Sequence, residues 1–365
     1  MKSFPSSTSL HLAVLLGLAA LLTACGGGKS GDAVKSIGPV ENAHIHVYMN
    51  VVDFLDSNYV QQTRARLETN QQAAITDNFD ELKEATGVDF REISGVMLSA
   101  NLDGIDFANP TPEPIRNMSA MAALGFKSAL TMDQVHAVLN LMVEDSNGGL
   151  SLDTGNVGGQ EIRLITVNNQ PDAPKIHVTL APDNKTVIAT LNAASLESAL
   201  NRAKSGRNAP QTGEMTTALR GMSGKQYQAL LILPEQLRQV MRAQIQEAQA
   251  MDPMAGAMIG PFQQMSAAML SANAGNNLDL SFNADLGSEE AANQLVSQIT
   301  TFKPMMTMSM QGQGVDGLLN VVQSITPKAD GTLAGISLTL TPEATETLVN
   351  DMMQIMMMRM MGGGF

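Results

Sequence analysis

The chain has 365 residues, and its 35 Asp and Glu against 22 Lys and Arg give a formal net charge of −13. Such an acidic chain is repelled by phosphate backbones, which argues against nucleic-acid binding. The chain has no Trp and only three Tyr, and a sugar-binding lectin is disfavoured because carbohydrate recognition usually relies on aromatic platforms.

The N-terminal segment has the pattern of a secretory signal. One cation, Lys2, precedes an apolar run from Leu12 to Leu22. This run of about eleven residues is too short to cross a bilayer, which takes about 20 residues, and it suits the h-region of a signal peptide. The run ends in the sequence Leu-Thr-Ala-Cys, in which Cys25 is the only cysteine of the chain.

This pattern resembles a bacterial lipoprotein signal peptide with its lipobox, and the resemblance covers residues 1–25. It implies that residues 1–24 are removed and that Cys25 receives a lipid. Gly26, where an inner-membrane lipoprotein would carry Asp by resemblance to enterobacterial sorting, favours the outer membrane. Each buried methylene contributes about 0.8 kcal/mol, so an anchor with several acyl chains is effectively permanent. The alternative is an ordinary secretory signal with a chance cysteine.

Residues 25–39 are rich in Gly, Ser and Lys, a composition that predicts a flexible tether. They include Gly28-Lys29-Ser30, which resembles the end of a phosphate-binding loop. The first glycine of that motif would fall on Thr23, and no strand precedes it. A nucleotide site in this segment is therefore disfavoured.

Beyond residue 39, an alternating apolar strand followed by a capped amphipathic helix recurs along the chain. Alternation with period two, as in Leu278-x-Leu280-x-Phe282, predicts a strand with one buried face, and apolar spacing of 3 and 4 predicts a helix. Thr131, Asn192 and Ser288 are expected helix caps, and Thr131 with Gln134 has capping-box spacing. The constant offset between cap and apolar stripe favours an internal duplication. The alternative is the ordinary succession of strands and helices in an α+β protein.

Consecutive strands are predicted over residues 161–167, 176–180 and 187–191, the last two joined by a turn at 182–185. Adjacent antiparallel strands followed by a helix predict the α+β class. A Gly- and Pro-containing break at 205–213 divides the chain into two similar lobes. Each is expected to be a mostly antiparallel sheet with helices packed on one face.

The predicted first lobe covers residues 40–207 and the second covers residues 214–350, followed by a Met-rich C-terminal helix and tail at 351–365. This mature region resembles no family that we can name.

Methionine is unusually abundant, with 26 residues. One group lies in an Ala- and Gly-rich segment interrupted by prolines: Met251, Met254, Met258, Met265 and Met269. Met-rich surfaces adapt to apolar partners, so this group is a candidate ligand-binding surface. The alternatives are that methionine fills an irregular core, or that thioethers bind Cu(I), which lacks support because no His or Cys is near.

Motifs for catalysis or metal binding are weak. His44 and His46 share one side of a predicted strand, and if His177 lay on a paired strand, three imidazoles could hold Zn or Cu. The pattern favours solvent-facing histidines instead, so we predict no metal and no cofactor. Neither a Gly-x-Ser-x-Gly elbow nor a His-Glu-x-x-His motif is present.

The sequence therefore predicts a non-enzymatic, lipid-anchored protein of the cell envelope. Its partners would be the membrane, through the N-terminal lipid, and an apolar ligand or another envelope protein, with no nucleic acid. Two alternatives remain open, a purely structural scaffold of the surface or periplasm and an uncharacterised hydrolase.

Overall fold

A computed structural model describes residues 33–66, 69–107, 118–168, 170, 173–252, 256, 258–311 and 316–361. Cys25 and Met254 lie outside these residues. In the described chain, strands and helices alternate around one twelve-stranded sheet, and every pair of neighbouring strands is antiparallel. The predicted α+β class with an antiparallel sheet is confirmed.

The strands are numbered in chain order. They are β1 (Ile45–Asn50), β2 (Ile93–Ala100), β3 (Ala120–Phe126), β4 (Leu150–Val157), β5 (Gln160–Val167), β6 (Ile176–Leu180), β7 (Thr186–Thr190), β8 (Tyr227–Ile232), β9 (Ala267–Ala274), β10 (Leu278–Asp285), β11 (Thr326–Asp330) and β12 (Leu333–Leu340). Their order in the sheet is β11-β12-β10-β9-β8-β1-β2-β3-β7-β6-β5-β4.

The described α-helices are numbered in the same way. They are α1 (Ala33–Ile37), α2 (Val51–Leu55), α3 (Asn58–Ala65), α4 (Thr69–Thr86), α5 (Met132–Asp145), α6 (Ala193–Ser205), α7 (Gly213–Gly221), α8 (Glu235–Met251), α9 (Glu289–Met310), α10 (Asp316–Ser324) and α11 (Pro342–Met361). Short 3-10 turns lie at Phe90–Glu92 and Gly260–Gln264.

The two halves of the chain share one sheet because β1 pairs with β8, with Val47 opposite Ala229. The sequence predicted a sheet in each half, and the structure joins the two through these strands. Each half repeats the same succession of strand, helix, hairpin, helix, hairpin and helix, with β4 and β5 as an additional hairpin in the first half. An unpaired edge strand can pair with any other free edge, so local patterns do not reveal this junction.

Helices pack on both faces of the sheet, whereas the sequence predicted one. The first face carries Met97 and Ile188 and is covered by α1, α6 and α7. The second face carries Val96 and Leu124, with α5 packed over its β3–β7–β6 part. Neighbouring residues of β2, Val96 and Met97, are both buried. Two apolar faces need two covering layers.

Residues 33–39, predicted to end the flexible tether, are packed against the first face of the sheet. Val34 and Ile37 of α1 are buried in its core. Gly95 and Gly125 lie opposite each other beneath this helix, and a Cβ on Gly125 would lie 2.6 Å from Val34 Cγ2. The prediction was wrong for residues 33–39 because it was based on the Gly, Ser and Lys content of the segment. That composition does not reflect Val34 and Ile37, whose spacing places them on one side of a helix.

The C-terminal boundary predicted at residue 350 lies inside a helix. Residues Pro342–Met361 form one continuous helix, α11. It begins directly after β12 and contacts α10 and α3. The methionine content changes along this helix, but its backbone does not.

The predicted helix caps form as expected. The Thr131 hydroxyl accepts a hydrogen bond from the Gln134 amide, and the Gln134 side chain accepts one from the Thr131 amide, which completes the capping box of α5. Asn192 caps α6 and Ser288 caps α9. These contacts satisfy amides that the first turn of a helix leaves unpaired.

Replacing Thr131 by Ala is expected to lower the free energy of unfolding by about 1 kcal/mol, because the Gln134 amide loses its acceptor. Urea unfolding measures the change. Thr301→Ala is the matched control, since the Thr301 hydroxyl only bonds back to Ser297 O within α9 and Ala is the better helix former. Equal destabilisation by both substitutions would contradict the role of the cap.

Candidate functional site

The three histidines considered for a metal site do not meet. His46 lies on β1 and His177 on β6, and strands β2, β3 and β7 separate them. Four interstrand steps amount to about 19 Å, so the required pairing does not occur. His44 Nε2 instead lies 3.7 Å from Asp103 Oδ1, and His177 Nδ1 lies 3.1 Å from Lys175 O. Among the described residues, no three His, Cys, Asp or Glu side chains are grouped to hold a metal ion.

His46 is buried, although the sequence favoured a solvent-facing side chain. It points to the first face of the sheet and is 5% exposed, and its Nδ1 makes no hydrogen bond to the described residues. This burial lowers the pKa of His46 to about 4. Partial burial also lowers the pKa of His177.

The methionine group does not form one surface. Met251, at the end of α8, is 73% exposed, and Met258 is also exposed. Met265 packs partly against the core beneath α9. Met269 of β9 is buried in the core of the first face. The structure therefore does not bring the described members of this predicted site together.

A different apolar surface lies on the second face of the sheet, across strands β2, β1, β8, β9, β10 and β12. We call it the open apolar face. Cross-strand register arranges its side chains in three rows. The rows are Ala100-Ile45-Leu231-Ala268-Ala284-Ala334, Leu98-Val47-Ala229-Leu270-Phe282-Ile336 and Val96-Met49-Tyr227-Ala272-Leu280-Leu338. The first row ends beneath α9, where Ala284 and Ala334 are buried. Tyr227 supplies the one polar group, and its partial burial raises the pKa of the hydroxyl, which stays neutral.

The middle row of this face is accessible to solvent. Leu270 is 36% exposed and Phe282 is 43% exposed, and Val47 and Leu98 are partly exposed. Phe282 and Leu270 are direct cross-strand neighbours. Exposed apolar side chains that adjoin one another in this way make the middle row a candidate interaction site.

The opposite side of the same strands is a buried core of mixed character. Met97, Leu230 and Met269 are buried there, and among them lie the polar cross-strand pairs Gln228–Ser271 and His46–Ser99. Burying polar groups costs free energy unless they are hydrogen-bonded. Ser99 accepts a hydrogen bond from the Val40 amide and Gln228 donates one to Lys225 O, whereas His46 Nδ1 has no partner among the described residues.

The open apolar face continues into a cavity beneath α5. Leu98 lies opposite Ala122 of β3, which lies opposite Ala189 of β7. Both alanines line the cavity, whose volume is about 80 Å³. The other lining residues are all apolar: Val88, Phe90, Leu124, Phe126, Leu130, Val135, Val138, Leu139, Met142, Ile165, Ile176, Val178 and Val187. One apolar surface therefore runs from β12 to β6.

A buried cation lies beside this cavity. Arg163 of β5 is opposite Val178 of β6 and is 4% exposed. Its Nε donates to His136 Nδ1 of α5 at 3.0 Å, and its Nη1 donates to Glu161 Oε1 at 2.5 Å and to Ile162 O at 3.4 Å. No sequence motif indicated a role for Arg163. The sequence feature that could have indicated it is a cation between the apolar residues Ile162 and Leu164 of a predicted strand.

Among the described residues, the groups with strongly shifted pKa values do not come together in one site. His46 is enclosed in the core, and the pKa of Asp89 is held well below its usual range by hydrogen bonds from Arg91 and Lys83. Neither lines the large polar depression of about 670 Å³. That depression is lined by Glu214, Arg238, Arg242, Gln263, Gln264, Ser266, Asp285, Gly287 and Thr332.

No family model and no curated protein matches the chain. Among solved structures, TP0453 in crystal form I is similar, with 11% sequence identity, over 88% of this chain and 97% of that chain. The TM-score is 0.35, a value that supports no inference about shared function. Within the described residues, no helix combines the length and hydropathy needed to span a bilayer.

Proposed function

We propose that this protein is a lipid-anchored protein of the bacterial envelope that binds an acyl chain on its open apolar face and in the adjoining cavity. The observation that supports it most directly is the exposure of Leu270 and Phe282 at the centre of a continuous apolar sheet face. Burial of apolar surface stabilises a protein by about 25 cal/mol per Å². The exposed side chains do not contribute this stabilisation, and an apolar ligand that covers them would supply it as binding free energy.

The shape of the site favours an acyl chain over a protein partner. The three rows hold no charged side chain, and the middle row leads through Leu98 to Ala122, which lines a cavity between α5 and the sheet. A thin, flexible chain reaches both parts, whereas a folded partner reaches only the open part. Apolar walls with few polar groups are typical of ligand pockets.

The N-terminal sequence supports a position close to a membrane. Cys25 precedes α1 by eight residues, which span at most about 27 Å when fully extended. A lipid on Cys25 would therefore keep the domain within reach of the acyl chains of one leaflet. Mass spectrometry of the protein from its natural membrane tests this part. A diglyceride on the Cys25 sulfur is expected, and an intact leader or a bare thiol would contradict it.

Binding is tested with the chain from residue 25 onward carrying Cys25→Ser, titrated with a fluorescent fatty-acid analogue. Leu98→Ser is expected to weaken binding about tenfold, because Leu98 lies where the open apolar face meets the cavity-lining Ala122 and some 50 Å² of apolar contact contributes roughly 1.3 kcal/mol. Leu98 is already partly exposed, and urea unfolding checks that the variant remains folded.

Met251→Ser is the matched control, because Met251 is exposed at the end of α8 and outside the open apolar face. It should bind the analogue as the parent chain does. An unchanged affinity in Leu98→Ser, or an equal loss in both variants, would contradict this location of the site. Absence of any binding would favour the scaffold alternative.

A further inference from the structure

We propose that the ligand is a long-chain fatty acid whose carboxylate binds Arg163, with its chain running beneath α5 toward the open apolar face. This inference rests on the proposed function and names its ligand. It makes Arg163 a specificity-determining residue at the inner end of the site.

The register of the sheet provides a straight path for the chain. Arg163, Val178, Ala189, Ala122 and Leu98 are successive cross-strand neighbours on β5, β6, β7, β3 and β2. Four interstrand steps cover about 19 Å, a distance that an extended long acyl chain spans. Its methyl end would reach the accessible middle row at Leu98.

The path is lined by small side chains at its centre. Ala122 and Ala189 leave space between the sheet and α5, and the helix contributes Val135, Leu139 and Met142. The cavity of about 80 Å³ is smaller than the roughly 150 Å³ that holds benzene in an engineered apolar cavity. Binding therefore requires α5 to move away from the sheet, and the flexible Met142 side chain adapts to the new contacts.

The guanidinium of Arg163 is suited to a carboxylate. A buried cation requires a partner of opposite charge, and its present partner, Glu161, is 56% exposed and reaches in from the surface. The bonds of Arg163 use Nε and Nη1, and Nη2 makes none to the described residues. A ligand carboxylate would pair with Nη2 and take the place of Glu161 at Nη1, in the two-point geometry that arginine favours.

His136 positions this cation. It lies on α5 directly after the cavity-lining Val135, and its Nδ1 accepts from Arg163 Nε. The helix that must move to admit the chain is therefore the one that holds the guanidinium. Occupation of the cavity and exchange of the Arg163 partner are thus expected to occur together.

The test compares palmitate with hexadecanol, which has the same chain length but no charge, on the chain from residue 25 onward carrying Cys25→Ser. The parent protein is expected to bind palmitate roughly 10- to 100-fold more tightly, the effect of a charge-assisted hydrogen bond. Arg163→Met should remove this preference and leave hexadecanol binding within about threefold. Glu161→Gln should increase palmitate affinity, because it removes the competing carboxylate.

The outcomes are distinguishable. If neither compound binds the parent protein, the proposed function fails and this inference fails with it. If both bind with equal affinity, the apolar site stands and the carboxylate site is overturned. A preference for palmitate that persists in Arg163→Met would place the carboxylate elsewhere. If Arg163→Met does not fold, the parent's preference and its change in Glu161→Gln still decide the question.

Discussion

Acidification from about pH 7.5 to 4.5 is expected to lower the free energy of unfolding by roughly 2 to 3 kcal/mol through His46 alone. The pKa of His46 is about 4 in the folded chain against an ordinary value of 6.5. Between these values the unfolded chain binds a proton that the folded chain does not. The contribution of His46 is therefore complete above about pH 6.5 and is lost as the pH falls toward 4.

Urea unfolding of the parent protein and of His46→Leu, at several pH values across this range, measures the effect. Leu at position 46 cannot titrate, so the free energy of unfolding of His46→Leu should decline less on acidification than that of the parent, by roughly 2 to 3 kcal/mol. His177→Gln is the control, because His177 lies on the same sheet but is only partly buried. If the free energies of unfolding of the parent and of His46→Leu decline in parallel, then His46 binds a proton equally well in the folded and unfolded chains. That result would contradict the lowered pKa of His46.

Asp89 affects a different pH range. Hydrogen bonds from Arg91 hold the pKa of Asp89 well below its ordinary value of 3.8. Its contribution to the free energy of unfolding is therefore present above that value and is lost only at lower pH. Urea unfolding measured only down to about pH 4.5 therefore reports the contribution of His46 and leaves that of Asp89 unchanged.

Gly317→Ala is expected to lower the free energy of unfolding by about 3 kcal/mol and to loosen the C-terminal helix α11. A Cβ at Gly317 would lie 2.5 Å from the backbone nitrogen of Leu348 and 2.6 Å from its Cα. Because the obstructing atoms are backbone, α10 and α11 must separate, and overpacking of this kind costs about 1 to 3 kcal/mol. Separation also breaks the buried hydrogen bonds of Asp351 Oδ2 with the Gly317 amide at 2.7 Å and the Leu318 amide at 3.3 Å.

Hydrogen exchange across residues 342–361 measures the loosening, and urea unfolding measures the loss of stability. Gly221→Ala is the matched control, because it makes the same change at the end of α7 where a Cβ meets nothing within 4 Å. It should be neutral or stabilising by up to about 1 kcal/mol. Unchanged exchange of α11 in Gly317→Ala would contradict the close crossing of the two helices.

Local sequence patterns predicted the strands of the open apolar face but not whether helices cover it. The alternation Leu278-x-Leu280-x-Phe282 predicted a strand with one apolar side, and β10 has that alternation. Whether that side was covered depended on where α9, α10 and α11 pack, which no spacing within β10 encodes. Likewise, the Met258 and Met269 side chains were grouped by sequence proximity, but strand alternation and distance along the chain place them in different environments.

What the sequence by itself determined is local: the strands with one apolar side, the helices begun by Thr131, Asn192 and Ser288, the α+β class, and a predicted lipid anchor at Cys25 that lies outside the described residues. These features follow from side-chain periodicity and from hydrogen bonds between residues three apart. The tertiary structure alone decided which edges pair, so it joined β1 to β8, buried His46, and aligned Arg163 with the apolar row that leads to Phe282. Strand pairing joins residues far apart in the chain through backbone groups that every strand possesses, and for that reason a local pattern does not specify it.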